Sequence, residues 1–172
     1  MTFTVENETG LAAANSYASV SELDAFVADR GLTLTASSPT EKEQILVKAC
    51  DHLENLYRHR YGGEIEFPST PQRLSFPRKY LYDAITGKLV SGVPLAIKEA
   101  QLELAVIADS SDLVVNPTVD PSGQKITRQK LGPLEQEFSD SLSVSTHRTF
   151  SEVGRIVSRY LTGGGGTRVL RN

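Results

Sequence analysis

The sequence predicts a mainly α-helical fold: a small helical bundle with an inserted β-hairpin, long irregular loops and an extended C-terminal tail. Three observations predict it. Two helix starts carry the same reciprocal signal, Ser19-Val20-Ser21-Glu22 and Ser38-Pro39-Thr40-Glu41. In each, a Ser hydroxyl can accept the N3 amide while the Glu reaches back to the cap. A third run after Val93-Pro94 has apolar residues at i, i+3, i+4 and i+7, the period of an amphipathic helix. Finally, Lys125–Leu131 and Leu134–Phe138 alternate on either side of Gly132-Pro133, the pattern of a hairpin.

Thr2–Val5 alternates polar and apolar residues and is expected to be a short strand or arm, followed by a small-residue, flexible Gly10–Asn15. The first helix places Val20, Leu23, Phe26 and Val27 on one face and has Gly31 to end it. In the second, Ile45, Ala49, His52, Leu53, Leu56 and Arg60 mark a face that runs to about Tyr61, where Gly62-Gly63 stops it. Pro68 and Pro71 are expected to keep 64–72 free of regular pairing. Leu74 and Phe76 are expected to dip into a core as structural anchors, with Pro77 and Pro94 as corner posts. Asp83–Gly87 is a turn, and Pro94 is placed at N1 of the third helix, along which Ile97, Ala100, Gln101, Leu104, Ile107 and Ala108 fall at i, i+3, i+4 and i+7 spacing. Residues 110–123 read as a linker. Phe150, Val153, Ile156, Val157, Tyr160 and Leu161 form a last short helix. The expected division is one helical domain over 1–162, with the hairpin inserted at about 124–139, and a flexible glycine tether with a basic tail over 163–172.

Composition limits function. With 172 residues and 39% apolar content the chain can bury one real core, and a net charge of −3 argues against wholesale electrostatic capture of nucleic acid. A single cysteine, Cys50, cannot form an intrachain disulfide, so nothing points to an oxidising compartment. The N-terminus has neither the basic nor the apolar region of a secretory signal, and no apolar run approaches the ~20 residues of a membrane span. The expectation is a protein made in the cytoplasm, with no membrane partner.

Reactive groups are sparse. His52 and His59 are seven apart, too wide for two ligands of one zinc, which come at i, i+4. Gly163–Gly166 lacks the Lys-Ser/Thr and the following helix of a phosphate loop, and reads as a tether. There is no Gly-x-Ser-x-Gly elbow. The expectation is no enzyme, no metal and no cofactor. Arg58, Arg60, Arg73, Arg78 and Lys79 lie near Tyr57, Tyr61 and Tyr80, a mixture able to bind single-stranded nucleic acid by charge and stacking. The alternative is a solvated helix end with a subunit contact, and the interspersed Glu54, Glu64, Glu66 and Asp83 favour it.

The order of motifs resembles a family of small tailed-bacteriophage neck proteins, the head–tail adaptors or head-completion proteins, whose members are often labelled DnaT-like single-stranded DNA-binding proteins. The matching pieces begin with Ala14-Asn15-Ser16-Tyr17 and Tyr57-x-x-Arg60. Leu74-Ser75-Phe76-Pro77-Arg78, Asp83-x-x-x-Gly87 and Val93-Pro94 leading into Lys98-Glu99-Ala100-Gln101-x-Glu103-Leu104-Ala105 come next. Lys130-Leu131-Gly132-Pro133-Leu134 and the basic tail complete the set. Phe76 stands where many relatives carry Trp, keeping the aromatic ring without the indole N–H. The resemblance implies a virion protein of the neck: a homo-oligomeric ring, twelve-fold in similar proteins, that joins the portal protein to a tail, stopper or tail-terminator protein. Such a ring lines the channel for packaged double-stranded DNA, which it contacts transiently. It also implies roles. Arg168, Val169, Leu170 and Arg171 would dock the tail on the portal. Arg58, Arg60, Arg78 and Lys79 would face the channel or a neighbouring subunit. Lys125, Arg128, Lys130, Gly132 and Pro133 would form a hairpin interface. The other reading is a DnaT-like single-stranded DNA-binding accessory of replication.

Overall fold

A computed structural model describes residues 2–68, 71–114 and 149–162, together with the backbone of two strands at 125–130 and 135–139. The chain divides into two compact units, one formed by Met1–Asp112 with Thr149–Asn172 and the other by Leu113–Arg148. The fold is mainly helical, as the periodicity predicts.

In the first unit, helix α1 spans Val20–Asp29 and helix α2 spans Pro39–Tyr57. Both carry complete capping boxes, Ser19 with Glu22 and Ser38 with Glu41, so two orphan amides at each start are satisfied reciprocally. Helix α1 stops at Gly31, whose positive φ of 62° lets Gly31 N–H donate to Ala28 O and Leu32 N–H to Val27 O, the paired bonds of a Schellman ending. Helix α2 ends at Tyr57 and tightens into a 3-10 turn over Arg58–Arg60. A 3-10 turn winds through more angle per residue than an α-helix, so side chains on it leave the α2 face. His52 is buried while His59 is exposed, and the two do not share a face as seven-residue spacing implied.

Helix α3 spans Leu95–Ser110 and packs along α2. Helix α4 spans Ser151–Val157, packs on α3, and continues into a 3-10 turn over Ser158–Tyr160. Pro94 is the N-cap of α3 rather than N1, at φ −61° and ψ 141°. The core is Leu23, Leu46, Ala49, Leu53, Phe76, Ile97, Ala100, Leu104, Val153 and Val157. Phe76 lies at the centre of an aromatic cluster, edge-on to Tyr61 at 4.9 Å, Tyr17 at 6.1 Å and Tyr160 at 6.2 Å.

Two expectations are corrected. The 64–72 segment does pair: β1 (Glu64–Ile65) lies antiparallel to β2 (Arg78–Lys79), with Glu64 opposite Lys79. The Gly10–Asn15 stretch is a packed turn, because the Glu6 carboxylate accepts Gly10 and Leu11 N–H at 2.9 Å each and Gly10 and Ala14 are buried. Of the strand or arm expected at Thr2–Val5, the structure has the arm, held by one parallel bridge from Val5 to Ser16.

In the second unit, β3 (Lys125–Lys130) and β4 (Glu135–Ser139) form the expected antiparallel hairpin. Its register sets Arg128 opposite Glu137 and Lys130 opposite Glu135, with a shift between Ile126 and Arg128. Gly132 and Pro133, and the 163–172 tail with Arg168, Val169, Leu170 and Arg171, lie outside the described residues.

Candidate functional site

The residues that carry the sequence motifs converge on a buried polar hub. Gln101, fully buried on α3, uses all four of its hydrogen-bonding positions. Its Oε1 accepts the N–H groups of Tyr17 (2.8 Å) and Ala18 (3.1 Å), and its Nε2 donates to Ser16 Oγ (2.7 Å) and Leu46 O (2.9 Å). Asn15 holds the N-terminal arm, accepting Thr4 N–H at 2.8 Å and donating to Thr2 O at 2.9 Å. Tyr17 continues the network inward: its hydroxyl donates to Glu54 Oε1 at 2.6 Å and accepts Phe76 N–H at 3.2 Å. The other oxygen of Glu54 accepts Ser75 N–H (3.1 Å) and Ser75 Oγ–H (2.7 Å).

Glu54 is therefore not a surface acid diluting a basic face. It sits inside, where burial raises its carboxyl above the usual range, against the lowering effect of the Tyr17 and Ser75 donors and the Arg58 charge. Burial and the neighbouring Glu54 likewise push the Tyr17 hydroxyl well up.

Arg78 is corrected in the same way. Its side chain is buried, and its guanidinium donates to Gly62 O (2.6 Å), Gly63 O (3.0 Å), Ser75 O (3.3 Å) and Tyr61 O (3.4 Å). These carbonyls belong to the bend after α2 and to the step before β2, so Arg78 ties two irregular segments together rather than facing DNA or a subunit. Only a planar fork with five donors can do this. The expected basic group is thus dispersed. Arg58 and Arg60 are exposed on the 3-10 turn, Arg60 over the Tyr57 ring, while Lys79 pairs with Glu64 at 3.5 Å. Leu74, Phe76, Pro77 and Pro94 are all buried.

Immediately after the hub the polarity inverts. Residues 80–90 leave the bundle as an irregular hairpin, with Val90 N–H donating to Leu81 O and Asp83 N–H to Lys88 O. Leu81 and Asp83 turn inward, while Ile85 is 75% exposed, Tyr80 67%, Tyr82 60% and Leu89 60%, with Leu95 beyond them at 71%. Five large apolar side chains along one short stretch are more than the isolated apolar residues normal on a surface.

The strip is held rigidly. Asp83 Oδ1 accepts Ile85 N–H (2.8 Å) and Thr86 N–H (3.1 Å), Gly87 N–H donates to Asp83 O (2.8 Å), and Asp83 Oδ2 is paired with Arg159. Those donors, with Arg159 foremost, hold the Asp83 carboxyl below its usual value although burial opposes them. Tyr80 has φ 56°, a left-handed conformation costly for a bulky residue and typical of places where the surrounding structure dictates the backbone. A Cβ at Gly63 would lie 2.5 Å from Lys79 O, so glycine is required where the bend meets the strip. Sequence reasoning identified the turn and missed the strip. The available signal was Tyr80-Leu81-Tyr82 with Ile85, Leu89 and Val90 around one turn, more apolar residues than one inward face can use.

Among the described residues there is also an open groove of about 320 Å3 between the N-terminal arm and the first half of α2. Phe3 and Val47 supply apolar wall, and Thr40, Glu43, Gln44 and Lys48 polar groups. Among the described residues, no cluster of three or more His, Cys, Asp or Glu is placed to hold a metal ion, and no helix is long and apolar enough to cross a membrane.

Hub, strip and groove define a small helical domain whose motif residues organise its own backbone. The chain belongs to the family described as "Putative DnaT-like ssDNA binding protein", whose model matches residues 1–172. Comparison with curated proteins and with solved structures gave no match.

Proposed function

We propose that this chain is a non-enzymatic structural protein of a tailed-phage virion, a head–tail adaptor. It assembles as a homo-oligomeric ring that joins the portal to a tail or stopper protein around the DNA channel. The observation that carries this reading is the strip from Tyr80 to Leu95, a rigid, largely apolar surface suited to burial against protein. The hub fits it too, because a ring subunit needs a fixed shape more than a reactive group. The tail at Arg168–Arg171 is the portal-docking element of this reading, with Val169 and Leu170 as anchor and the arginines pairing with acids. Peptide mass spectrometry of purified phage particles tests it. The chain is expected in the particle at a copy number comparable to the portal, and to bind isolated portal rings only when residues 167–172 are present. Absence from particles overturns the reading.

A second reading, single-stranded DNA binding in replication, is favoured by the family description and by one geometric feature. Tyr80 and Tyr82 are exposed two residues apart, and the Lys79 ammonium lies 5.5 Å from the Tyr80 ring centre. Successive bases can stack on such a pair. Filter binding to oligothymidylate separates the readings. DNA binding predicts an affinity that falls steeply with salt and is weakened by Tyr80→Ala, Tyr82→Ala and neutralisation of Arg58 and Arg60. No affinity at moderate salt removes it.

A further inference from the structure

Helix α4 is seated in the bundle by Val153 and Val157, and the residues that follow it are held differently. Of residues 158–162 only Tyr160 is buried. The other ties are polar and lie on two sides. On one side Gly62 N–H donates to Tyr160 O (2.9 Å), Thr162 N–H and Oγ1–H donate to Arg60 O (2.7 and 3.0 Å), and Tyr61 bridges Leu161. On the other side Ala84 N–H donates to Arg159 O (3.0 Å), and the Asp83 carboxylate is paired with the Arg159 guanidinium. The segment is a strap lying between the bend after α2 and the turn that carries Ile85. Arg159 Nε is buried with no acceptor among the described residues, so Asp83 is the anion that keeps this guanidinium in place. Lifting either partner strands the other, and the two sides of the strap therefore seat or lift together.

We propose that residues 158–162 are a latch on the exposed strip. Seated, the latch fixes the 83–87 turn and the side chains that turn presents. Lifted, it frees the turn and the bend after α2 together, while α4 and the bundle stay folded. A segment with one buried ring and a few partly exposed polar ties opens locally at far lower cost than the whole domain unfolds. A turn that must be ordered on contact binds more weakly than one already fixed, so the strap tunes the strip without touching whatever covers it. By linkage, a molecule that binds the fixed form of the strip seats the strap more firmly. Thr162 is followed by Gly163-Gly164-Gly165-Gly166, so traction on the chain beyond it reaches the Thr162–Arg60 ties first and the Arg159–Asp83 pair next. The latch is a property of the single chain and depends on neither reading of its function.

Residue-resolved amide hydrogen exchange, followed by NMR on the full chain, tests the latch. Arg159→Met should speed exchange at Ala84, Ile85 and Thr86 about tenfold or more, as loss of a charge-assisted hydrogen bond does. Asp83→Asn is the sharper variant, because its amide oxygen can still accept Ile85 and Thr86 N–H while the charge facing Arg159 is gone. It should speed exchange at Gly62 and Thr162, whose acceptors it does not touch, by about the same factor. In the double variant the two effects should not add, since both open the same latch. Leu53 and Leu104, buried on α2 and α3, are the reference and should stay within about twofold of wild type. If Asp83→Asn leaves Gly62 and Thr162 at wild-type rates, the strap does not move as a unit and the proposal is overturned. It is overturned as well if Leu53 and Leu104 speed up in step with the turn, because residues 158–162 then open only with the whole core.

Discussion

The Leu74–Arg78 step and the Tyr80–Leu95 strip are neighbours in sequence, and they meet water in opposite ways. In the first, a carboxylate, a guanidinium, a serine and a tyrosine hydroxyl are taken inside and satisfied one by one. In the second, two tyrosines, an isoleucine and two leucines are left outside. Inside, each polar group has a partner whose loss would strand another. Outside, each apolar group is left largely uncovered by the other described residues. The first pattern is that of a scaffold fixing its shape, and the second that of a surface awaiting another molecule.

The strongest way to break this contrast is to disturb the hub. Arg78→Met should destabilise the fold by about 3 kcal/mol or more, because the carbonyls of Gly62, Gly63, Ser75 and Tyr61 lose their donors together. Urea unfolding measures it, and Arg78→Lys should recover little, since an ammonium cannot span the same carbonyls. A loss below about 0.5 kcal/mol would return Arg78 to the exposed basic group.

The next effect is one of pH. Burial raises the Glu54 carboxyl in the folded state, so between its ordinary value of 4.5 and the raised one the folded chain holds a proton that the unfolded chain has released. Stability from this group therefore falls as pH rises through that window. Glu54→Gln removes the titration. Urea midpoints of wild type and variant, compared from about pH 4.5 upward, should show wild type losing ground as pH increases. Parallel curves would mean that the Tyr17 and Ser75 donors offset the burial completely.

The smallest effect on stability should come from the strip. Ile85→Ser and Leu89→Ser should each change stability by no more than about 0.5 kcal/mol, as surface substitutions do, while reducing self-association measured by sedimentation. A large loss of stability would place these side chains in their own core.

Local chemistry made most of the helical framework legible. The capping boxes at Ser19 and Ser38, the Gly31 stop and the Asp83–Gly87 turn depend on neighbours within a few residues, and all are found in place. What the sequence hid depends on distant partners. Glu54 and Arg78 look like ordinary surface charges until Tyr17, Ser75 and Gly62 are brought beside them, across separations of up to 37 residues. The β1–β2 pairing escaped notice for the same reason, since two residues with little alternation carry no period. The strip was hidden differently. A run of apolar residues says only that something must cover it, and here the bundle does not.

The ion pair between Asp83 and Arg159 spans 76 residues and fastens the strip's turn to the last described helical segment. The same segment brings Tyr160 against Phe76 and its carbonyl to Gly62 N–H. A ribosome delivers these parts in order, amino end first. While the nascent chain ends at α3, Phe76 lacks one of its rings and Asp83 its cation, so the turn that presents Ile85 is held only by its own residues, through the Asp83 carboxylate and the backbone. On the adaptor reading proposed above, the surface for neighbours would become firm only after α4 has been made, which would delay contact between half-made chains on one messenger.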